Sequence, residues 1–236
     1  MSFEWRIKHY DTVQSTQDTI KELLSIEGEG LVISAAQQLK GRGRHNRVWE
    51  SSNVNLSFSF LLKPNIDLSH IGYLSLITGL AVYHEISDRI KSPDLLKLKW
   101  PNDIIYDGRK LCGILIEKEA DYFVIGVGVN TRSAPIKKSI HLSEISRKNI
   151  NNEEILRGIL SYQKQYYQML LSQKYSDLVD DWKKCAHDVG QTLSVKVGTT
   201  HFNGTFHDLD EFGNLLLKLD QGNIKRITAG DVYLGA

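Results

Sequence analysis

Cysteine is scarce in this chain: Cys112 and Cys185 are the only two in 236 residues. They form no CxxC pair, which excludes a disulfide framework and a thiolate metal pair; a lone cysteine is ordinarily a small core hydrophobe. Excess charge of one sign is also missing. Lys plus Arg number 29 against 28 for Asp plus Glu, so the molecule as a whole does not steer polyanions. Any binding of phosphate or nucleic acid must come from a local cluster. The opening Met1-Ser2-Phe3-Glu4-Trp5-Arg6 lacks the basic-then-apolar order of a signal peptide. The longest apolar stretch, 71–90, carries His84, Glu85, Asp88 and Arg89, which predicts a core helix and no membrane span. A reducing cytoplasm is the expected location. There is no GxxxxGK[ST] loop, no internal repeat and no low-complexity tract.

A hydrophobic share of 41% and a charged share of 24% describe a globular protein long enough for one large domain and an appendage. Alternation predicts strands at 3–7, 31–36, 56–62, 96–100 and 122–129. Asp107-Gly108 sits between apolar runs 104–106 and 110–118 and predicts a hairpin, because this pair tolerates positive φ. Ser15 begins a helix whose apolar face is Ile20, Leu23 and Leu24. Further helices are expected at about 68–91, 151–172 and 175–188. From residue 189 the texture changes to short strands punctuated by glycine, which predicts a separate small β-barrel. The fold class is therefore α+β, a mixed sheet packed with helices over 1–188, with a small barrel over 189–236.

Three segments carry the chemistry. In Lys40-Gly41-Arg42-Gly43-Arg44-His45-Asn46-Arg47, followed by Trp49, four cations fall within eight residues. Arg binds phosphate oxygens bidentately, and two glycines let backbone N–H groups come close to a ligand. Repulsion among the cations predicts a loop that flexes until an anion neutralises it. A solvated basic loop and an RNA-binding loop remain open at this point. A dinucleotide fingerprint does not, since Asn46 replaces its third glycine and no helix follows. The second segment is Lys99-Trp100-Pro101-Asn102-Asp103, with Arg109-Lys110-Leu111-Cys112-Gly113 on the next hairpin arm; Asn-Asp here is either turn chemistry or a site. In the third, Gly126 and Gly128 alternate with valine inside a strand, leaving either a flat trough for a ligand ring or a bulge.

Together these segments resemble the catalytic domain of biotin–protein ligases. The likeness rests on GRGR-x-x-R-x-W at 41–49, KWPND at 99–103, RKL-x-GIL-x-E at 109–117 and IG-x-G-x-N at 125–130. It extends to Ser15-Thr16, to Gln38 three residues before the loop, and to the tail ending Ala229-Gly230-Asp231-Val232. The resemblance implies a class II synthetase-like catalytic domain with an SH3-like C-terminal domain. It implies that biotin carboxylate attacks the α-phosphorus of ATP to give biotinyl-5′-AMP, and that a lysine of a biotin carboxyl carrier protein then displaces AMP. Neither step needs an enzyme nucleophile, which agrees with the lack of any Ser/His/Asp or Cys/His pattern.

By motif position, Ser15, Thr16 and Gln38 would hydrogen-bond the ureido ring, with Gly41, Gly113 and Gly126 completing the biotin site. Arg42, Arg44 and Arg47 would fold over carboxylate and phosphates, and Lys110 would lie between these two anions. Trp49 would form part of the adenylate enclosure, Asn102 and Asn130 would lie in the nucleotide region, and Asp103 would orient the acceptor lysine and assist loss of its proton. Mg²⁺ would accompany ATP, held by phosphates and water, with no protein metal site. His45-Asn46 departs from the family's x-Gly, yet Asn tolerates the left-handed region, so the turn is expected to survive. The run 50–55 lacks the Pro and Gly common there. The chain starts at the catalytic domain, which predicts the monofunctional type, without specific DNA binding and with homodimerisation allowed. The rival is a lipoate ligase or octanoyltransferase of the same fold, whose RR-x-SGGG-type segment is absent.

Overall fold

The computed structural model describes residues 3–50 and 52–234. Strand β1 (Arg6–Val13) leads through helix α1 (Thr16–Glu22) to its parallel neighbour β2 (Leu31–Gln38). Then follow β3 (Leu56–Leu62), helix α2 (Tyr73–Ser87), β4 (Leu96–Lys99), β5 (Asp103–Tyr106), β6 (Arg109–Glu119) and β7 (Tyr122–Val129). These seven strands form one sheet in the order β1-β2-β3-β7-β6-β5-β4, antiparallel throughout except for the first pair. A short α3 (Leu142–Ile145), then α4 (Asn152–Leu171) and α5 (Tyr175–Cys185), complete the large unit.

Period-two alternation assigns the two faces of this sheet. Val32, Phe58, Phe60, Leu62, Ile125, Val127 and Val129 point into the main core with α2 and α4. Leu31, Ile33, Leu61 and Val124 point the other way and pack beneath Ile20 of α1. Helix α2 is apolar on nearly all sides because it is enclosed by the sheet, α4 and α5. The second face is only partly covered by α1, and that is where the cavity opens.

Some local expectations hold closely. Ser15 caps α1 by accepting from Gln17 N at 3.2 Å, and Asn151 caps α4. Asp107 and Gly108 turn β5 into β6 with φ of 49° and 72°. Three expectations need correction. The first strand runs over Arg6–Val13 and not 3–7, because β1 is an exposed edge whose apolar alternation is lost; Phe3 and Trp5 instead pack on the core ahead of it. The helix expected from 68 to 91 is Tyr73–Ser87, preceded by a separate turn at Leu68–His70 capped by Asp67. The C-terminal unit is an antiparallel sheet, not a closed barrel. Its strands β8 (Thr192–Val197), β9 (Thr200–Leu209), β10 (Leu215–Leu219), β11 (Ile224–Ile227) and β12 (Asp231–Leu234) run in the order β11-β10-β9-β8-β12. Its edge strands, β11 and β12, have four residues each and do not pair with one another.

Candidate active site

One row of residues crosses five strands: Lys99 pairs with Asp103, Asp103 with Gly113, Gly113 with Gly128, and Gly128 with Ser57 on β3. The next row on the same face is Leu115, Gly126 and Ser59. Small residues at the centre of both rows make a trough, the floor of a cavity of about 290 Å³. At one end Gln38 Oε1 accepts from Thr16 N (2.9 Å) and Thr16 Oγ1 (3.1 Å), and Thr16 Oγ1 lies 2.7 Å from Ser59 Oγ. The buried Gln17 amide lies over Gly126, where an added Cβ would come within 3.0 Å of it. This end offers several neutral donors and acceptors.

The basic segment closes over the trough as a compact loop. Trp49 N donates to Gly41 O (2.9 Å) and Gly43 N to Arg47 O (2.7 Å). His45 and Asn46 both adopt positive φ, 55° and 56°, so the turn does survive without the family's glycine. Trp49 lays its indole on Gly128, where any Cβ would collide with it. The three arginines of the loop already have partners. Arg42 binds Asp18 through Nη1 (2.6 Å) and Glu117 through Nη2 (3.1 Å), which raises its pKa, Asp18 contributing most. Arg44 donates to Asn102 Oδ1 and Gly230 O, both at 3.0 Å, and Arg47 pairs with Asp231. The expectation of an unneutralised, self-repelling loop is therefore corrected: carboxylates from α1, β6 and β12 meet it. Arg42 is shared between two acids, Asp18 on α1 and Glu117 on β6.

The turn between β4 and β5 holds the opposite wall. Asn102 Nδ2 donates to Ile114 O at 2.8 Å, tying the turn to β6. Asp103 lies between Lys110 (2.6 Å) and Lys99 (3.3 Å). Burial works to raise its pKa, but the two lysines outweigh burial and hold it below the ordinary carboxylate value. Lys110 Nζ also lies 5.6 Å from the Trp49 ring centre. Lys110 and Trp49 border both the main cavity and a smaller one of about 70 Å³. That second cavity contains Asn130, whose buried Oδ1 has no hydrogen-bond partner among the described residues. Next to it Asn55 Oδ1 accepts from the backbone N–H groups of Thr131, Arg132 and Ser133 at 3.0–3.1 Å, fixing the chain just after Asn130. Burial pushes the Cys112 thiol far up and the Cys185 thiol to about 11, so neither is a ready nucleophile.

Of the residues singled out by sequence, Thr16, Gln38, Arg42, Arg44, Arg47, Trp49, Asn102, Asp103, Lys110, Gly113 and Gly126 border the main cavity. Ser15 does not; its hydroxyl is engaged as the cap of α1. Gly41 lies behind the wall, where it lets the two ends of the loop cross, and Asn130 is in the side cavity. Gly128, paired with Gly126 in the trough expected from the sequence, lines the cavity too. Sequence reasoning missed Gln17 and Asp231 at the cavity and Asp18 and Asn55 in support.

Residues 10–130 match the Biotin/lipoate A/B protein ligase family, and residues 190–235 match the Biotin protein ligase C terminal domain. The chain is 30% identical to the bifunctional ligase/repressor BirA of Bacillus subtilis, covering 96% of this chain and 73% of that one. It is 28% identical to a biotin–[acetyl-CoA-carboxylase] ligase of Mycobacterium tuberculosis, covering 97% and 89%. Its fold superposes on biotin protein ligase from Aquifex aeolicus in complex with biotin and ATP with a TM-score of 0.84 at 27% identity, covering 97% and 98% of the two chains.

Proposed function

The chain belongs to the biotin/lipoate A/B protein ligase family, and from that premise we propose how its residues divide the work of a two-step biotinylation. The chain is an ATP-dependent ligase that activates biotin and transfers it to an acceptor protein. In our reading biotin carboxylate attacks the α-phosphorus and pyrophosphate leaves; a lysine amine of a carrier domain then attacks the acyl carbon and AMP leaves.

The observation that carries the residue assignment is Lys110, whose ammonium stands where the two cavities meet. Biotin occupies the main cavity, its ureido ring at Thr16, Gln38 and Gln17. Adenine enters the side cavity beyond Trp49, where the unpaired Asn130 Oδ1 accepts from the exocyclic amine. The carboxylate and α-phosphate then meet at Lys110, and its charge offsets the negative charge that builds as they approach. Arg44 and Arg47 receive the phosphates. As Lys110 turns to the ligand, Asp103 loses one of its two cations, so its affinity for the acceptor's lysine ammonium and its strength as a base both rise. Residues 1–188 act as the catalytic domain and 189–236 as a second domain beside it.

Mg²⁺ enters with ATP in this reading. The acidic groups at the cavity do not make a cage for it, since Asp103 is held by two lysines and Asp231 by Arg47. Phosphates and water are its ligands, and no step is assigned to a protein-bound metal.

The test is pyrophosphate release from ATP by the purified chain without acceptor. Release on adding biotin, but not lipoate or octanoate, supports the reading; release with lipoate or octanoate in place of biotin overturns the substrate assignment.

A further inference from the structure

Three side chains of the basic loop converge on one carboxylate that belongs to the other sheet. Arg47 Nη2 donates to Asp231 Oδ2, while His45 Nε2 and Arg44 Nη1 lie 3.7 and 3.9 Å from Oδ1. Asp231 opens β12 and its side chain is only 16% exposed. The sheet that bears it is itself pinned to the large unit. Trp100 Nε1 donates to Gly213 O at 3.0 Å and Tyr73 Oη to Glu211 O at 3.1 Å. Trp100 begins the turn that leads through Asn102 to Asp103, so the anchor of the loop and the opposite wall of the cavity share one support.

We propose that Asp231 is a positioning residue for the adenylation step: it holds Arg47 over the cavity before ATP arrives, beside an Arg44 that Asn102 Oδ1 and Gly230 O already fix, which makes the second sheet part of the nucleotide site. The inference rests on the ligase reading. Two like charges on a loop with Gly41 and Gly43 would otherwise separate, and the ordering entropy would fall on the binding step. With Asp231 in place that ordering is already done on folding, and the guanidinium donors stand preorganised. One carboxylate against Arg44 and Arg47 leaves the loop net positive, so a polyphosphate is still attracted. A purely competing anion would act in the opposite direction, weakening ATP binding by occupying the arginines, and the two cases differ in sign.

The test uses the full chain with Asp231→Asn and Asp231→Glu. Pyrophosphate release gives KM for ATP and for biotin, trypsin cleavage within 42–47 gives loop order, and the thermal midpoint gives folding. Losing a charged hydrogen-bond partner of this kind predicts that Asp231→Asn raises the KM for ATP about tenfold and leaves the KM for biotin within about twofold. Cleavage of the ligand-free loop should accelerate, the midpoint should hold, and Asp231→Glu should recover most of the ATP affinity. Unchanged KM and cleavage, a lowered KM for ATP, or a joint change in both KM values and the midpoint would each overturn the proposal. Loop cleavage needs no turnover, so a wild-type chain that releases no pyrophosphate would count against the ligase reading and leave this readout intact.

Discussion

Asp103 Oδ1 accepts from Lys110 Nζ at 2.6 Å while Oδ2 faces Lys99 Nζ at 3.3 Å, so one carboxylate is shared by two ammonium groups. Lys99 and Asp103 belong to one row across the sheet, and Lys110 reaches that row from three residues before Gly113. Only Lys110 borders the side cavity, which makes it the partner that can leave. In the proposed reading this arrangement links the two half-reactions: the Lys110 motion that serves adenylation also prepares Asp103 for the acceptor lysine.

The trough requires Gly128. Its backbone is ordinary strand, so alanine suits β7 itself, but the new Cβ would collide with the Trp49 indole. Gly128→Ala should push Trp49 outward, increase acrylamide quenching of tryptophan fluorescence and weaken ATP binding several-fold, with the circular dichroism spectrum unchanged. Equal quenching in wild type and variant would show that the indole does not rest there.

Asn130 should matter to the nucleotide and not to biotin. Its Oδ1 is buried without a partner among the described residues, while Nδ2 donates to Lys110 O at 3.3 Å. Asn130→Ala should raise the Kd for ATP about tenfold, the scale of a buried hydrogen bond lost, and leave the Kd for biotin nearly unchanged. Calorimetric titration of each substrate separately decides this; an equal loss for both would remove Asn130 from the adenine end.

His187 should make the junction between the two units sensitive to acid. Its ring packs edge-on against Phe206 of β9 at 4.7 Å, and neither ring nitrogen has a partner among the described residues. Burial lowers its pKa from 6.5 to about 4. Between those values the unfolded chain binds a proton that the folded chain refuses, so stability falls as pH drops from about 6.5 toward 4. The loss attributable to His187 at pH 5 is about 2 kcal/mol. His187→Gln should flatten the fall in urea midpoint between pH 7.5 and 5; identical slopes would contradict the assignment.

Much of this geometry was open to reading from the residues because its causes are local. The cap at Ser15, the Asp107-Gly108 turn and the left-handed Asn46 depend on neighbours within a few positions. The opposed faces of β3 and β7 follow from alternation alone. What escaped depends on contacts distant in the chain. Asp18 and Glu117 meet Arg42 across 24 and 75 positions, and Asp231 meets Arg47 across 184. Nothing near Arg42 or Arg47 announces those partners, so a row of bare positive charge was the only inference available. Ser15 illustrates the converse: a hydroxyl in a ligand motif that also caps α1. β1 was misplaced because an exposed edge strand has no buried face to impose alternation.

The most direct test of the account is to run the two half-reactions separately in Lys110→Ala and Asp103→Ala. Removing one preorganised charge typically costs ~3 kcal/mol, about a hundredfold in rate. Lys110→Ala should slow pyrophosphate release by about that factor, yet still pass biotin to the acceptor when purified biotinyl-5′-AMP is supplied in a single turnover. Asp103→Ala should release pyrophosphate and hold the adenylate, but transfer biotin slowly. Equal failure of both variants in both half-reactions, with folding intact, would contradict the division of labour between Lys110 and Asp103.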